Sequence, residues 1–416
     1  MTDSRQPLRV AHMVTAFPRH DGDVITPWLG ELLLAQAERG IRVSVWAPAY
    51  KGGGDGRWRG IPVRRFRYAP AAWETLTHDE TAPDRLRSKP WYAVLLPGFA
   101  LGGLVAAWRI ARAGVDVVHV HWPMPNGLFG AAARWFSGGK IGVVSSFYSV
   151  EIRWVVSRVR VLVPFLKWTI RSADILTANS SATAEQARRL GAAGVRVIPS
   201  PAGIRIPGPA EILPGHAPAP ARPSRDRDPA GLAEILFVGR LVQRKGVETL
   251  VRAVAKLARK RPVRLTVVGE GSWRPRIEAA VAGAGAENSV RFAGRVGERE
   301  LHEAYRRADV FVLPAVYDDK GDTEGLGVVL IEALSHEVPV VGADIGGIPD
   351  IVIDGETGWL FPSGDADRLA EVIELVLDDP VEAARRVSRG ISHARKRFSA
   401  SGIAGALECC YRDAMC

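Results

Sequence analysis

Residues 234–258 read EILFVGRLVQRKGVETLVRAVAKLA, a stretch that joins a strand to a helix through a short basic loop. EILFV is a mainly apolar run that is typical of a strand, and VETLVRAVAKLA has the apolar spacing of an amphipathic helix. The stretch therefore predicts one βα unit, with Arg240 and Lys245 in the loop at the carboxyl end of its strand.

Similar apolar runs alternate with helical stretches on both sides of this unit, which predicts parallel sheets built from βαβ units. Towards the C-terminus the runs are VRLTVVG (263–269), SVRFAG (289–294), DVFVLP (309–314), VPVVGA (338–343) and GWLF (358–361). Towards the N-terminus they are LRVAHMV (8–14), IRVSVWA (41–47), IPVRRFR (61–67), VDVVHVH (115–121), KIGVVSS (140–146), DILTANS (174–180) and VRVIPS (195–200). Such sheets bind ligands at the carboxyl ends of their strands, so we expect the active site between two doubly wound domains.

The 416 residues exceed what one hydrophobic core usually organises, in agreement with two domains. We place the N-terminal, acceptor-side domain at 1–205 and the C-terminal, nucleotide-sugar-binding domain at 232–395. Residues 206–231 are rich in proline and are predicted to be a linker or insertion. Residues 396–416 are predicted to form a helical segment that returns to the N-terminal domain.

Two side chains of the basic loop suit a diphosphate. Arg240 offers a planar fork for phosphate oxygens and Lys245 a mobile point charge. The alternative is that both are ordinary surface cations, although cations at a helix N-terminus oppose its dipole.

A second cluster lies in DTEGLGVVLIEAL (322–334), where Glu324 precedes a glycine-rich turn and Glu332 follows on the helix. Eight helical residues rise about 12 Å, so two such carboxylates can hold opposite ends of an elongated ligand. The turn Gly325, Leu326 and Gly327 leaves backbone N–H groups open to an anion. The alternative is a helix-capping glutamate followed by a buried one.

These segments resemble a known family. VGRLVQRKG (238–246), VGEG (268–271), FAGRV (292–296), EGLGVVLIEAL (324–334) and GGIPDIVIDGETGWLF (346–361), in this order and spacing, are similar to the donor-binding domain of family 4 retaining glycosyltransferases of the GT-B fold. The N-terminal half is similar through AFPRHDGDVITPWLGELLLAQAERG (16–40) and VHVHWPMPNG (118–127). The resemblance implies an α/β protein of two Rossmann-like domains that face each other across a cleft.

The resemblance also implies roles for the C-terminal residues. Arg240 and Lys245 would hold the diphosphate of a nucleotide sugar, Glu332 the ribose hydroxyls and Glu324 the hydroxyls of the transferred sugar. The backbone around Arg295 and Val296 would meet the nucleobase. The donor is thus a substrate, and no separate cofactor is expected.

In the N-terminal half, the resemblance places the loop with Gly22 near the phosphates, and His121 with residues 146–151 towards the acceptor. Many family members carry His-Gly-x-Asp/Glu after the fifth strand, whereas this chain reads Tyr148-Ser149-Val150-Glu151. Tyr148 would replace the histidine as a hydrogen-bonding group or simply pack. Glu151 would orient the acceptor or cap a helix.

The resemblance implies a front-face mechanism in which the leaving diphosphate accepts the proton of the acceptor hydroxyl. Arg240 and Lys245 can neutralise the diphosphate, so we expect no catalytic metal and interpret Asp319 and Asp322 as loop residues. VGEG with Arg274 at the third glycine position is only a partial dinucleotide-binding motif, which makes an oxidoreductase a weak alternative.

Charge and cysteine content bear on location. The net charge is +10, and residues 1–205 carry 27 basic and 14 acidic side chains. No zinc-ligand or RNA-binding pattern accompanies them, so no nucleic-acid partner is expected. All three cysteines lie at 409–416, and the N-terminus lacks the pattern of a signal peptide, so a cytoplasmic protein is expected.

Two stretches without acidic residues, 85–115 and 152–173, mix basic and aromatic side chains. Such surfaces lie on anionic membranes, so attachment at the inner face of the membrane and a lipid-linked or glycan acceptor are favoured. The alternatives are a soluble enzyme that acts on a small metabolite, such as an aminocyclitol or a sugar, and a sugar-nucleotide epimerase of similar fold.

Overall fold

The computed structural model describes residues 7–20, 23, 25–79, 82–201, 231–319 and 321–416. These residues form two compact α/β units, of which the first contains those up to 201 together with 398–416, and the second contains 231–397. Apart from Gly231, the predicted linker 206–231 lies outside the described residues, and the exact domain boundaries stay predictions.

The first unit is built on an eight-stranded sheet in the order β3-β4-β2-β1-β5-β6-β7-β8. Its strands are β1 (Arg9–Met13), β2 (Arg42–Pro48), β3 (Gly56–Trp58), β4 (Ile61–Phe66), β5 (Val117–His121), β6 (Gly142–Phe147), β7 (Ile175–Ala178) and β8 (Arg196–Val197). Its helices are α1 (Pro27–Glu38), α2 (Ala82–Ser88), α3 (Leu96–Arg112), α4 (Pro123–Phe136), α5 (Val150–Arg158), α6 (Val163–Arg171) and α7 (Ser181–Arg189). All pairs are parallel except β3 with β4, and the antiparallel edge strand β3 was not predicted.

The second unit has a six-stranded parallel sheet in the order β11-β10-β9-β12-β13-β14. Its strands are β9 (Ala233–Val238), β10 (Val263–Val268), β11 (Val290–Gly294), β12 (Val310–Leu313), β13 (Val340–Ala343) and β14 (Trp359–Phe361). Its helices are α8 (Val247–Leu257), α9 (Arg274–Ala284), α10 (Glu298–Arg307), α11 (Val328–Ser335), α12 (Ala366–Asp378) and α13 (Pro380–Phe398). In the second unit's own numbering this is the order 3-2-1-4-5-6, in which the strand order reverses between β9 and β12.

Both faces of the first sheet are covered, which explains the nearly continuous apolar runs of its strands. On β1, Val10 packs into one buried cluster, while the adjacent Ala11 and Met13 pack into the cluster on the opposite face. In the second unit, α8 buries Leu250, Val254 and the rest of its apolar side.

The last helix, α14 (Ala400–Asp413), belongs to the first unit and packs on α1. Ser399 accepts a hydrogen bond from the backbone N–H of Gly402 and caps its N-terminus. Gln36 Nε2 of α1 donates to Tyr411 Oη of α14 at 2.8 Å, and both side chains are buried.

The segment Pro90–Arg112 is the one described helical stretch that is long and apolar enough to cross a membrane, by length and composition only. A Cβ at Gly103 would lie 2.1 Å from the ring of Phe129 on α4, so this side of α3 is packed closely against its own unit. The opposite side carries exposed apolar side chains, among them Leu101 at 65% and Val105 at 48% exposure.

Candidate active site

The predicted donor-binding residues lie in loops at the carboxyl edge of the second sheet. The loops after β9 and β12 flank the position where the strand order reverses, and open α/β sheets bind ligands at this position. Arg240 and Lys245 belong to the first of these loops and Glu324 to the second.

The two loops touch at a glycine. Gly246 has a φ of +62°, and a Cβ there would lie 2.0 Å from the carbonyl oxygen of Pro314. The backbone N–H of Val316 donates to the carbonyl of Arg244 at 2.9 Å. Only glycine permits this approach, which brings Lys245 beside the loop that carries Glu324.

Lys245 Nζ forms an ion pair and a hydrogen bond with the carboxylate of Glu324, and the side chains are only 12% and 14% exposed. Burial works to raise the pKa of Glu324, but the attraction of Lys245 outweighs it, so this pKa lies below its ordinary value. Glu324 is therefore ionised at neutral pH. Arg240, in contrast, is exposed and forms no ion pair within the described part of the chain.

The helix after Glu324 begins later than the spacing argument assumed. Gly327, with a φ of +88°, precedes α11, whose first residue is Val328, so Glu324 lies in a loop. The estimate of about 12 Å between Glu324 and Glu332 for eight helical residues therefore does not apply. A backbone hydrogen bond fixes the turn that begins at Glu324, because the N–H of Gly347 donates to the carbonyl of Glu324 at 3.1 Å.

Glu332 lies in the middle of α11 and is partly buried. Tyr305 Oη on α10 donates to Glu332 Oε2 at 2.9 Å, and the Tyr305 ring stacks on His336 with centroids 4.8 Å apart. The hydrogen bond fixes one carboxylate oxygen. Sequence reasoning missed Tyr305 and His336, since neither stands in a motif.

The loops after β9, β10 and β11 are also joined to one another. The N–H of Gly269 donates to the carbonyl of Gly294 at 2.7 Å, directly before Arg295 and Val296. Arg295 is exposed and Val296 is half-buried. The N–H of Leu241 donates to the carbonyl of Glu270 at 2.9 Å, so the loops that carry the predicted donor residues of this unit are connected, and only Glu332 stands on an α-helix, α11.

In the first unit, His121 ends β5 and Tyr148 follows β6, its neighbour in the sheet. His121 Nδ1 and Tyr148 Oη are 2.7 Å apart, so the structure brings these two predicted residues together. Asp23 accepts hydrogen bonds from Arg19, and its side chain is 2% exposed. Gly22 lies outside the described residues.

Two further buried histidines, His12 and His119, join His121 in one cluster. His12 Nδ1 lies 3.0 Å from His121 Nε2, and His119 Nδ1 lies 2.7 Å from Tyr411 Oη. Burial lowers the pKa of all three, to about 3 for His12, so the rings are neutral near pH 7. Sequence reasoning did not identify His12 or His119.

Ring nitrogens of the three histidines lie within 4.8 Å of one another, a spacing that a metal ion could use. Both nitrogens of His119, however, already have partners, Tyr411 Oη and, at 2.6 Å, Ser146 Oγ. Gln36 donates to Tyr411, which leaves the phenol proton for His119 Nδ1. Neutral His119 therefore carries its own proton on Nε2, and the cluster is a hydrogen-bonded network.

Two family models together match most of the chain. The model described as Glycosyltransferase Family 4 matches residues 28–202, and that described as Glycosyl transferases group 1 matches residues 225–393. The GDP-mannose-dependent alpha-(1-6)-phosphatidylinositol monomannoside mannosyltransferase of Mycolicibacterium smegmatis is 33% identical over 376 residues, 88% of this chain and 89% of that protein. The chain belongs to glycosyltransferase family 4.

Solved structures agree on the architecture. Sucrose-phosphate synthase from Thermosynechococcus elongatus matches with a TM-score of 0.66 at 24% identity, over 97% of this chain and 98% of that one. The catalytic domain of starch synthase IV from Arabidopsis thaliana, bound to ADP and acarbose, matches with a TM-score of 0.63 at 16% identity, over 99% and 100%. This family 4 glycosyltransferase therefore has the GT-B fold.

In this glycosyltransferase, Glu151 stands in the segment that departs from the family motif. Glu151 Oε1 accepts a hydrogen bond from the backbone N–H of Tyr148 at 2.8 Å, one residue before Ser149, the N-cap of α5. Its other oxygen, Oε2, is buried without a hydrogen-bond partner among the described residues. Burial raises the pKa of Glu151 to about 7, so the carboxyl is half protonated near neutral pH.

Proposed function

We propose that this glycosyltransferase moves a hexosyl group from a nucleotide-diphosphate sugar to an acceptor hydroxyl with retention of anomeric configuration. The pairing of Lys245 with Glu324 at the switch point of the second sheet carries the proposal. It places a cation for phosphate and an acceptor for sugar hydroxyls side by side. The GDP-mannose dependence in the name of the M. smegmatis relative and the ADP bound to starch synthase IV support a nucleotide donor.

Each donor group has a residue of matching chemistry. Arg240 and Lys245 would bind the diphosphate, and Glu324 the hydroxyls of the transferred sugar. Glu332 would accept hydrogen bonds from the ribose through the oxygen that Tyr305 leaves free. The backbone at Arg295 and Val296 would meet the base.

The transfer breaks the bond between the anomeric carbon and the diphosphate oxygen. The bond to the acceptor oxygen forms on the same face of the sugar, and the hydroxyl proton passes to the leaving diphosphate. Arg240 and Lys245 stabilise the charge that develops on this group, which is why we propose catalysis without a metal.

For the acceptor, we favour a lipid-linked or glycan substrate at the cytoplasmic face of a membrane. Exposed apolar residues Leu101, Val105 and Trp108 lie along one side of α3, with Arg109 and Arg112 at its end. The name of the M. smegmatis relative also includes phosphatidylinositol monomannoside, which is a glycolipid. A basic and apolar surface of this kind suits anionic lipid.

A thermal-shift panel of UDP, GDP, ADP and dTDP sugars tests the donor. A ligand at 100 times its dissociation constant should stabilise the protein by about 2.7 kcal/mol. NMR of the product should show a retained linkage, and activity should survive EDTA. An inverted product, or a strict need for a divalent cation, would contradict the mechanism.

A further inference from the structure

The carboxyl edge of the first sheet carries a group of cationic, aromatic and histidine side chains on the side of β1 away from His121 and Tyr148, and the proposed donor chemistry does not use it. Arg19 follows β1, Tyr50 and Lys51 follow β2, Arg65 stands at the end of β4, and His78 lies in the segment beyond it. We call these five residues the edge cluster. Parallel strands end at the same edge of the sheet, which is why segments far apart in sequence meet here.

Arg65 is a cation without a carboxylate partner among the described residues. Its Nη2 donates to the carbonyl of Pro18 at 2.8 Å, and longer contacts reach the carbonyls of Phe17 and Pro48. Burial lowers the pKa of this guanidinium, the nearby Asp23 carboxylate raises it, and Arg19 lowers it again. Asp23 is paired with Arg19 and forms no ion pair with Arg65, so the carbonyls orient the fork and its half-buried positive charge can still bind an anion.

The neighbouring cations differ in their partners. Arg19 pairs with Asp23 at 2.6 Å and reaches Asp79 at 3.6 Å, and Arg85 also pairs with Asp79 at 3.4 Å. Lys51 Nζ lies 5.1 Å from the centre of the Tyr50 ring, and Arg19 lies over the same ring at 4.9 Å. Among the described side chains, Arg65 and Lys51 are the cations of the edge cluster that form no ion pair with a carboxylate.

His78 is the second sign of a ligand. It is 9% exposed, its Nδ1 lies 3.0 Å from Thr77 Oγ1, and its Nε2 is buried without a hydrogen-bond partner among the described residues. Its ring lies 5.2 Å from that of Tyr50, inside the cluster. A buried polar atom without a partner is costly unless a ligand or water completes its hydrogen bonds.

The backbone at this place is strained as well. His78 has a φ of +86° and Lys51 a φ of +45°, the left-handed region that side chains other than glycine rarely adopt. Strained residues of this kind gather at binding sites, where the surrounding structure holds them in place. Here both belong to the same small group of side chains.

We infer that the edge cluster binds a phosphate group of the acceptor, through Arg65, Lys51 and His78. Phosphate presents oxygens in several directions, which suits donors that arrive from three different segments, and its negative charge is attracted by Arg65 and Lys51. The inference rests on the proposed transferase function, because the phosphate is assigned to the acceptor. A soluble sugar phosphate and a phospholipid headgroup share this chemistry.

Phosphate binding can be measured directly by calorimetry in a Lys245→Ala background, which removes the lysine proposed to hold the donor diphosphate. The probes are inorganic phosphate, sn-glycerol 3-phosphate, and phosphatidylcholine vesicles with and without phosphatidic acid. Arg65→Gln and Lys51→Gln should each weaken binding about tenfold, because each removes a charged donor. Arg42→Gln, an exposed arginine at the opposite edge of the same sheet, is the matched control and should change nothing.

If glycerol 3-phosphate binds and the Arg65→Gln and Lys51→Gln variants weaken its binding, the site is assigned to a soluble phosphate. If the variants weaken binding only to vesicles with phosphatidic acid, the site is assigned to a lipid. Lys51 is exposed, so its variant keeps the test valid if Arg65→Gln fails to fold. Equal binding by all variants, an equal loss in Arg42→Gln, or no binding of any probe overturns the inference. Thermal shift measures nucleotide-sugar binding by Arg65→Gln in the otherwise native chain. This measurement distinguishes failure of the phosphate inference from failure of the proposed donor chemistry.

Discussion

Lys245 and Glu324, which are 79 residues apart in the chain, neutralise each other at the switch point of the second sheet. The pair belongs to two loops that only Gly246 allows to touch. Both side chains are largely buried, and the attraction of Lys245 holds the pKa of Glu324 below its ordinary value. A change at Lys245 should therefore affect both donor binding and the stability of the fold, whereas a change at the exposed Arg240 should affect donor binding alone.

Lys245→Ala and Arg240→Ala should each lower kcat/KM at least tenfold, because a hydrogen bond to a charged group contributes about 1.5–3 kcal/mol. Only Lys245→Ala should also lower the free energy of unfolding in urea, since it leaves the Glu324 carboxylate buried without its main partner. Combining Lys245→Ala with Glu324→Gln should restore part of that stability. Wild-type turnover in either single variant would remove the diphosphate role, and equal stability losses would show that the pair is not coupled.

Glu324→Gln should lower turnover more than it weakens binding of the bare nucleoside diphosphate, whereas Glu332→Gln should weaken both. The first carboxylate is assigned to the sugar and the second to the ribose. Tyr305→Phe removes the hydrogen bond that orients Glu332, so it should weaken nucleotide binding by less than Glu332→Gln does. Titration calorimetry with the bare nucleotide measures all three. A larger loss of nucleotide affinity in Glu324→Gln than in Glu332→Gln would show that the two roles are exchanged.

Glu151→Gln should stabilise the protein, and by more at pH 8 than at pH 4.5. Burial raises the pKa of Glu151 from 4.5 to about 7, so the folded state holds its proton up to a higher pH than the unfolded state does. The stability that this carboxyl contributes is thus lost as pH rises from 4.5 through 7, by up to about 3 kcal/mol. Urea unfolding at several pH values gives the difference between variant and wild type. Glu38→Gln, an exposed glutamate on α1, is the control, and a Glu151→Gln effect that is constant with pH would refute the assignment.

The protein should sediment with vesicles that contain anionic lipid, and less so as salt is added, because charges are screened over about 8 Å at physiological ionic strength. On α5, α6 and the turn between them, changing Arg153, Arg158, Arg160 and Lys167 together to serine should weaken binding. In this region Trp168 is 41% exposed, whereas Trp154 packs against the core, so the interfacial aromatic is Trp168.

The control for this experiment is the same charge change in the second unit, at exposed residues of no proposed membrane role. It consists of Arg252, Arg259, Arg291 and Arg299 changed together to serine. Equal binding to neutral vesicles, or an equal loss in the control, would contradict attachment through the first unit and favour a soluble acceptor.

Much of the fold was predictable, because buried parallel strands are nearly continuous apolar runs between helical stretches. The exception, β3, is only three residues long and pairs with its neighbour across a tight turn, so it leaves no periodic signal. The proximity of Lys245 and Glu324 was predictable because both stand in motifs at strand ends, whereas their donor roles stay predictions. The partner of Glu332 was not predictable, since Tyr305 lies on a helix surface that only the packing of α10 defines.

The histidine cluster shows a second limit. The alternation in VHVH places His119 and His121 on the same face of β5, and this could be read from the sequence. The position of His12 opposite His119 depends on the register between β1 and β5, which the local sequence does not set. Tyr411, 292 residues from His119, comes from a different part of the chain altogether.

The packing of α14 on α1 has a consequence for synthesis. Gln36 and Tyr411 are 375 residues apart, and ribosomes add roughly 5–20 residues per second, so Gln36 waits about 20 to 75 s for its partner. Residues 231–397 emerge completely within that interval, whereas the first unit still lacks the helix that covers its histidines. The first unit therefore completes its core after the second, because Ile403, Leu407 and Tyr411 of α14 belong to one of its buried clusters.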